Sequence, residues 1–456
     1  MVVSSNPATG AELARHPEQS PEEVDGILNA VASAQASWRR HEITDRTPLL
    51  RETARVLREG KEGYAALITA EMGKPITEAR AEIEKCAMTC EYYAKHAPQQ
   101  LADHPVASHA TESAVVYDPL GVVLAVMPWN YPFWQFFRFA APALAAGNGT
   151  LLKHANNVPQ CALAVEEVIR KAGAPEGLCR TLLVEVGQVA GLIGDPRVAA
   201  VTLTGSTEVG AVVAAQAAAV LKKQVLELGG SDPFVVLADA DIAAAAATAV
   251  KARYVNVGQS CVNAKRFIVE DAVADEFVAA FTAAAAALKV GDPTDPKTAI
   301  GPMARANLRD TLHDQVRRSV EAGAVLTLGG EIPDGPDCYY PPTVLDHVRP
   351  GMAAFDEETF GPVAAVTRAT DADEAIALAN RTEYGLGAAL WTSDLDRARR
   401  LTRVLDAGAV FVNGMAASDP RLPFGGIKKS GYGRELGAEG IREFVNTKTV
   451  WIDPAA

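Results

Sequence analysis

The chain has 456 residues, of which 48% are hydrophobic and 22% charged, and its formal net charge is −13. This length allows two or three domains with a large core, so disulfides are not needed for stability. The acidic balance argues against nucleic acid as a partner, because a phosphate backbone would be repelled. The start, MVVSSNPATG, lacks the basic and apolar regions of a secretory signal, and no apolar run reaches the ~18–20 residues that span a bilayer. We therefore expect a cytoplasmic globular protein without a membrane partner.

The predicted elements begin with amphipathic helices over the first hundred residues. Ser20-Pro21-Glu22-Glu23 predicts a helix start, since it combines a capping residue, a proline in the first turn and acids near the positive helix end. From about Val115, short apolar runs alternate with helical patterns, as in GVVLAVMP, NGTLLKH, CRTLLVEV, VAAVTLTGS and KQVLELGG. A second series follows Gly230, from PFVVLAD to GAVFVNG. Such alternation predicts a doubly wound α/β protein, which binds ligands beyond the carboxyl ends of its strands.

Three strand ends in this pattern carry residues that are candidates for catalysis or phosphate binding. Asn130, in MPWNYP, follows a strand and lies in a rigid turn, where its amide would either stabilise an oxyanion or merely cap the turn. Gly205 and Ser206 join a strand to a helix whose first N–H groups would suit a phosphate, although such turns are common. Glu227, before a Gly-Gly pair, would be a general base or an ordinary ion-paired glutamate.

Cys261 lies in the polar segment NVGQSCVNAKRF, which suits a loop better than a core. The six cysteines are scattered, and neither a CxxC pair nor HExxH occurs, which disfavours a zinc site and a disulfide. Reduced thiols fit a cytosolic protein. These residues by themselves leave an inert thiol and a nucleophile as open alternatives.

Arg138 lies among aromatic and small residues in FWQFFRFAAP. A buried guanidinium needs a partner, because an unpaired buried charge is very costly. It would pair with a carboxylate of the protein or grip a ligand carboxylate with two hydrogen bonds. The local sequence does not decide between these two alternatives.

Taken together, six motifs resemble the aldehyde dehydrogenase superfamily, in the right order and along essentially the whole chain. They are Pro128-Trp129-Asn130, Gly205-Ser206-Thr207, Glu227-Leu228-Gly229-Gly230, Gly258-Gln259-Ser260-Cys261, Glu358-Thr359-Phe360-Gly361-Pro362 and Pro423-Phe424-Gly425-Gly426. The resemblance implies a Rossmann-type dinucleotide-binding domain over residues 1–100 and 120–229. It also implies a second α/β catalytic domain over 230–430 and a small β oligomerisation element from 101–119 and 431–456.

The same resemblance implies catalytic roles. Cys261 would be the nucleophile that forms a thiohemiacetal and then a thioester. Glu227 would activate the water that hydrolyses the thioester. Asn130 and the backbone N–H of Cys261 would hold the oxyanion.

For the cofactor, the resemblance implies a set of contact residues along the dinucleotide. They are Trp129, Gly205 and Ser206 at the pyrophosphate, Lys153 at the adenosine ribose, Gly191 at the adenine, and Glu358 with Phe360 at the nicotinamide end. NAD-preferring members commonly have a glutamate where this chain has Asn156. A neutral amide removes repulsion toward a 2′-phosphate, which Lys153 would pair with, so NADP is favoured and NAD is the alternative.

For the substrate, Arg138 and Ser418 resemble the pair with which succinate-semialdehyde dehydrogenases hold the distal carboxylate, and Trp134 would supply an apolar wall. The resemblance implies a small aldehyde substrate and a homodimer or homotetramer. Glutarate semialdehyde, one methylene longer, remains an alternative, since a methylene is worth only ~1–3 kcal/mol. An uncharged aldehyde, a CoA-acylating enzyme and a silent binding protein also remain. Glu227 disfavours the acylating enzyme, and Cys261, Glu227 and Asn130 together disfavour the silent protein.

Overall fold

The computed structural model describes residues 1–334 and 338–454. Its N-terminal part forms a hairpin and four helices, and the first helix starts at the predicted Ser20. There Ser20 Oγ accepts a hydrogen bond from Glu23 N at 3.2 Å, while the Glu23 carboxylate accepts one from Ser20 N at 2.7 Å. These elements are β1 (Val2–Ser5), β2 (Glu12–His16), α1 (Pro21–Trp38), α2 (Ile43–Glu59), α3 (Lys61–Met72) and α4 (Ile76–Gln100).

The next part alternates strands with helices, as the apolar pattern predicts. It comprises β3 (His104–Pro105), β4 (Glu112–Pro119), β5 (Val122–Met127), α5 (Trp134–Ala146), β6 (Gly149–His154), α6 (Pro159–Lys171), β7 (Cys179–Thr181), α7 (Val189–Gly194), β8 (Val198–Thr204), α8 (Thr207–Ala219) and β9 (Lys223–Glu227). Helix α5 is buried along its whole length. It is therefore an internal element, between the sheet and the N-terminal helices.

The second α/β series comprises β10 (Asp232–Val236), α9 (Ile242–Tyr254), β11 (Ala264–Glu270), α10 (Asp271–Ala286), α11 (Ala306–Glu321), β12 (Val325–Leu328), β13 (Thr343–Asp346), α12 (Ala353–Asp356), β14 (Val363–Ala369), α13 (Ala372–Asn380), β15 (Gly387–Trp391), α14 (Leu395–Leu401) and β16 (Ala409–Val412). A final part adds β17 (Gly431–Tyr432), α15 (Gly437–Arg442) and β18 (Val445–Ile452).

The strands form two large sheets and a small one, besides the β1–β2 hairpin. The six-stranded sheet has the order β17-β9-β8-β5-β6-β7, and the seven-stranded sheet has the order β12-β13-β14-β11-β10-β15-β16. Their strands pair in parallel except at β17 and β12, which are antiparallel edges. Strands β18, β4 and β3 form an antiparallel sheet. The predicted α/β architecture, with a Rossmann-type sheet, a second α/β sheet and a small β element, is confirmed.

The C-terminal segment joins two sheets. Gly431 and Tyr432 pair with Glu227 and Leu226 of β9, whereas β18 pairs with β4. The reason is tertiary: the chain after β16 returns to the edge of the six-stranded sheet before it reaches β18. No helix in 1–334 and 338–454 is both long and apolar enough to cross a membrane.

Candidate active site

The loop that carries Cys261 follows α9 through a strained turn. Asn256 and Val257 adopt left-handed conformations with φ of 56° and 58°, which is rare for any side chain and especially for a β-branched one. Gly258 follows with φ of 70°, and a Cβ there would lie 2.3 Å from Gly361 O. Only glycine fits this position, so the backbone before the thiol is narrowly specified.

Hydrogen bonds with two other segments, α4 and the turn after β5, hold this turn. Asn256 N donates to Glu78 Oε2 at 2.7 Å, and Asn256 Nδ2 donates to Asn130 O at 2.9 Å. Asn130 Nδ2 in turn donates to Gln259 O at 3.1 Å. The turn after β5 and the cysteine loop are therefore one connected unit, and Asn130 is fixed relative to Cys261.

Cys261 is half-buried, and burial raises the pKa of its thiol to about 11, while the charges of Arg138 and Lys265 act in the opposite direction. Lys265 Nζ donates to the carbonyl oxygens of Ser260 and Cys261 at 3.0 and 2.8 Å. The ammonium thus anchors the loop's backbone. The thiol itself needs a proton acceptor before it can act as a nucleophile at neutral pH.

A buried charge cluster lies beside the thiol. Glu227 is 1% exposed, and Arg138 and Glu435 are 3% exposed or less. Arg138 forms an ion pair with Glu435 and donates to Thr204 Oγ1 at 3.2 Å. Burial raises the pKa of Glu227 well above its usual value, and the charge of Glu435 raises it further, against the effect of Arg138. Of the two partners the sequence left open for Arg138, the structure contains the internal carboxylate.

The Glu227 carboxylate lies behind the cleft walls rather than in them. A Cβ on Gly425 would be 2.7 Å from Glu227 Oε1, which places the carboxylate against the Pro423-Phe424-Gly425-Gly426 loop. Neither carboxylate oxygen has a hydrogen-bond partner within the described residues. The side chain is therefore held by packing and charge rather than by hydrogen bonds.

On one side of Cys261 a cleft of about 920 Å³ opens between α4, α5 and the loop after β16. Helix α5 contributes Trp134 and Arg138, which lie on one helix face because they are four residues apart. The loop contributes Ser418, so all three residues proposed for the substrate line the same cleft as Cys261. Two α5 backbone N–H groups, those of Phe133 and Trp134, donate to Glu82 Oε1 at 2.9 and 3.0 Å, which fixes α5 on α4.

On the other side of Cys261 lies a second cleft of about 890 Å³. Its lining includes the predicted cofactor residues of this region, Trp129, Gly205, Ser206, Glu358 and Phe360, together with Asn130. The Trp129 and Phe360 rings meet edge to face with centroids 5.8 Å apart. Glu358 Oε1 accepts hydrogen bonds from Gly230 N at 3.0 Å, and lies 3.3 Å from Lys265 Nζ.

This second cleft adjoins a groove of about 1900 Å³ at the carboxyl ends of β5, β6 and β8. Lys153 and Asn156 line it, and Lys153 Nζ donates to Asn156 Oδ1 at 2.7 Å. Burial lowers the pKa of Lys153 to about 8. Gly191 is exposed on α7 and is not among the lining residues, whereas its neighbour Ala190 is.

Further charged residues line these clefts besides those proposed from the sequence. Arg305 lies where the groove meets the second cleft, with its guanidinium 5.6 Å from the Trp129 ring. Lys85 and Glu78 line the first cleft from α4. The spacing of Glu78, Glu82 and Lys85 puts them on one helix face, but that pattern does not reveal what the face meets.

Cys261 is the point where the charged cleft and the groove system meet, since it lines both adjoining clefts. A long groove at the carboxyl ends of parallel strands is where doubly wound proteins bind dinucleotides. The fold and site together are those of a dinucleotide-binding α/β protein with a cysteine where the two clefts meet.

Comparison with known proteins narrows this class. The model of the aldehyde dehydrogenase family matches residues 2–450, and the chain belongs to this family. It is similar to the Escherichia coli K12 protein named as an NAD(P)+ succinate semialdehyde dehydrogenase, with 50% identity over 451 residues, 99% of this chain and 98% of that protein. A Mycobacterium tuberculosis H37Rv protein named as an NADP+ succinate-semialdehyde dehydrogenase is 50% identical over 454 residues, 99% of both chains. The crystal structure of a Streptococcus pyogenes succinic semialdehyde dehydrogenase with NADP+ superposes with a TM-score of 0.97 at 35% identity, covering 100% of both chains.

Proposed function

We propose that this protein oxidises succinate semialdehyde to succinate, with NADP as its preferred cofactor and NAD as an alternative. The observation that carries the proposal is that Cys261 lines both a cleft with two cations and the cleft that continues into the dinucleotide groove. Relatives about 50% identical over the whole chain carry the name of this activity. The side chains of Lys85 and Arg138 in this cleft suit an aldehyde with a carboxylate at its far end.

In the proposed reaction, the Cys261 thiolate attacks the aldehyde carbon and forms a thiohemiacetal. Asn130 Nδ2 and the Cys261 backbone N–H stabilise the oxyanion, where one positioned donor is worth about 3–4 kcal/mol. Collapse of the thiohemiacetal to a thioester expels a hydride, which a nicotinamide held in the groove would accept. Water then attacks the thioester and releases succinate and the thiol.

Glu227 serves as the general base in this proposal. Its raised pKa suits proton transfer near neutral pH. Because its carboxylate lies against Gly425, the side chain turns toward Cys261 to take a proton from the water. A base that hydrolyses the thioester favours release of free acid over transfer to CoA.

The residues of the groove fit a phosphorylated adenosine ribose. Lys153 is buried and its Nζ contacts a neutral amide, Asn156, so no carboxylate stands at that contact to repel a 2′-phosphate. Gly205 and Ser206 precede α8, whose first turn lines the groove, and a helix N-terminus suits a pyrophosphate. Trp129 lies beside them, Ala190 rather than Gly191 lines the far part of the groove, and Glu358 with Phe360 would hold the nicotinamide ribose.

In the substrate cleft we assign Arg138 and Ser418 to the distal carboxylate and Trp134 to the apolar wall. Arg138 donates to Thr204 Oγ1 through Nη2, and its Nε faces Glu435 in the ion pair, so a ligand carboxylate would meet its remaining nitrogen, Nη1. Ser418 keeps a hydroxyl proton to donate, because its oxygen accepts from Lys85.

We also propose the assembly and location that the family resemblance implies. Residues 1–100 and 120–229 form the cofactor domain, residues 230–430 the catalytic domain, and 101–119 with the C-terminal segment an oligomerisation element in a homodimer or homotetramer. Cys86, Cys90, Cys161, Cys179 and Cys261 form no disulfide, which favours a reducing cytoplasm.

The test measures NADPH formation with succinate semialdehyde and with butanal, which has the same carbon count without the carboxylate. We expect a strong preference for the semialdehyde in kcat/KM, and we expect Cys261→Ala to abolish turnover while NADP+ binding, followed by fluorescence titration, is unchanged. Equal turnover of both aldehydes would refute the substrate. Turnover by Cys261→Ala would refute the mechanism, and a need for CoA would assign the acylating activity instead.

A further inference from the structure

The cleft beside Cys261 contains a second cation besides Arg138. Lys85 Nζ, from α4, donates to Ser418 Oγ at 2.6 Å and lies 4.2 Å from the centroid of the Trp134 ring. Lys85 is half-buried and lines the cleft. Its ammonium therefore touches two of the residues assigned to the substrate.

Of the two cations that line this cleft, Arg138 has an ion-pair partner and Lys85 has none within the described residues. Glu82 is paired with Lys74, and Arg138 is paired with Glu435. Within 1–334 and 338–454, no carboxylate lies within ion-pair distance of Lys85 Nζ, and the nearby Asp419 is paired with Arg421. An ammonium has three N–H donors, and only one of them is used, on Ser418.

Such an arrangement is costly without a ligand. Burial and the charge of Arg138 both work against the ammonium form of Lys85. A carboxylate placed at Ser418 would relieve that cost, because it would bring the missing negative charge within reach of Lys85 and accept its remaining donors.

We propose that Lys85 determines specificity for aldehydes with a distal carboxylate, by pairing with that carboxylate at Ser418. This inference rests on the proposed function and adds a recognition residue to it. Arg138 has its charge already balanced by Glu435, so Lys85 supplies the uncompensated positive charge of the cleft. The Trp134 ring keeps the ammonium in place, since a cation over an aromatic face is stabilised.

The experiment compares kcat/KM for succinate semialdehyde and butanal at pH 7 and saturating NADP+. Lys85→Met keeps the length of the side chain without the charge, and Lys85→Gln keeps a donor for Ser418 without the charge. We expect both to lower kcat/KM for the semialdehyde by about 10- to 100-fold, the range of a charged hydrogen bond, mainly through KM. Turnover of butanal should stay within about twofold, which also shows that the variants fold.

Two further variants complete the design. Lys85→Arg retains the charge and should keep most of the preference for the semialdehyde. Lys95→Met removes the same charge from an exposed position on the same helix and should leave both substrates unchanged, which controls for net charge.

The outcomes separate this inference from the proposed function. If wild type shows no preference for the semialdehyde, the proposed substrate falls. If wild type shows the preference and Lys85→Met and Lys85→Gln retain it, Lys85 is not a recognition residue. Equal losses for both aldehydes would mean that Lys85 acts only on the architecture of the cleft, which also overturns the inference.

Discussion

Replacement of Arg138 tests the energetics of the buried charge cluster. Arg138 and Glu435 form an ion pair in the interior, next to the equally buried Glu227. Arg138→Met removes the cation and leaves the carboxyl groups of Glu227 and Glu435 without its positive charge. Breaking a buried pair by removing one partner costs about 3–5 kcal/mol of folding free energy at neutral pH.

The loss should depend on pH with a defined sign. Burial raises the pKa of Glu435, and Arg138 opposes that shift. Without Arg138 the pKa rises further, so the folded variant keeps a proton on this carboxyl at a pH where the unfolded chain has released it. A group with a raised pKa gives stability at low pH and loses it as the pH rises. As the pH rises, the free energy of unfolding of the variant therefore falls by up to about 1.4 kcal/mol per pH unit relative to that of wild type.

The assay is urea unfolding of wild type and Arg138→Met at pH 5.5, 6.5 and 7.5. The free energy of unfolding of the variant should fall below that of wild type by up to about 3 kcal/mol more at pH 7.5 than at pH 5.5, because the folded variant binds one more proton than the unfolded chain. Arg80→Met, which removes a half-exposed arginine paired with Glu62, should cost at most about 1 kcal/mol. A deficit that is the same at all three pH values would refute the reasoning.

Two other predictions concern the nucleophile loop and the cofactor. Gly258→Ala should reduce kcat by about 100-fold or more, because a Cβ placed 2.3 Å from Gly361 O displaces the loop and a 1 Å misplacement of a catalytic group costs about that much. The control is Gly63→Ala, where a Cβ meets nothing within 4 Å. A normal kcat in Gly258→Ala would contradict the prediction. Asn156→Glu should lower kcat/KM for NADP+ by about 100-fold, because the new carboxylate repels the 2′-phosphate, and should leave kcat/KM for NAD+ nearly unchanged. Initial rates with each cofactor measure both values. An equal effect on both cofactors would show that Asn156 does not face the phosphate.

Local pattern was sufficient to predict most of the secondary structure, whereas the roles assigned to the chemical residues rest on the family resemblance. The period of the apolar runs predicts the strands that became β5 to β9, because a buried parallel strand is apolar on both faces. The capping residues at Ser20 act within one turn, so they are visible in sequence. The polar, glycine-containing setting of Cys261 predicts a loop for the same reason: the backbone conformation is decided by neighbouring residues.

The partners of the charged residues were decided only by the tertiary structure. Arg138 needed a carboxylate, but the sequence could not say that this would be Glu435, because the two come together only when the chain after β16 returns to the first sheet. Lys85 and Ser418 are separated by 333 positions, and no helical periodicity relates them. Electrostatic pairing depends on distance in space, which local sequence does not encode. The sequence thus determined the elements and the chemical types of the candidate groups, and the packing of α4, α5 and the late loop determined which of their charges are paired within the protein.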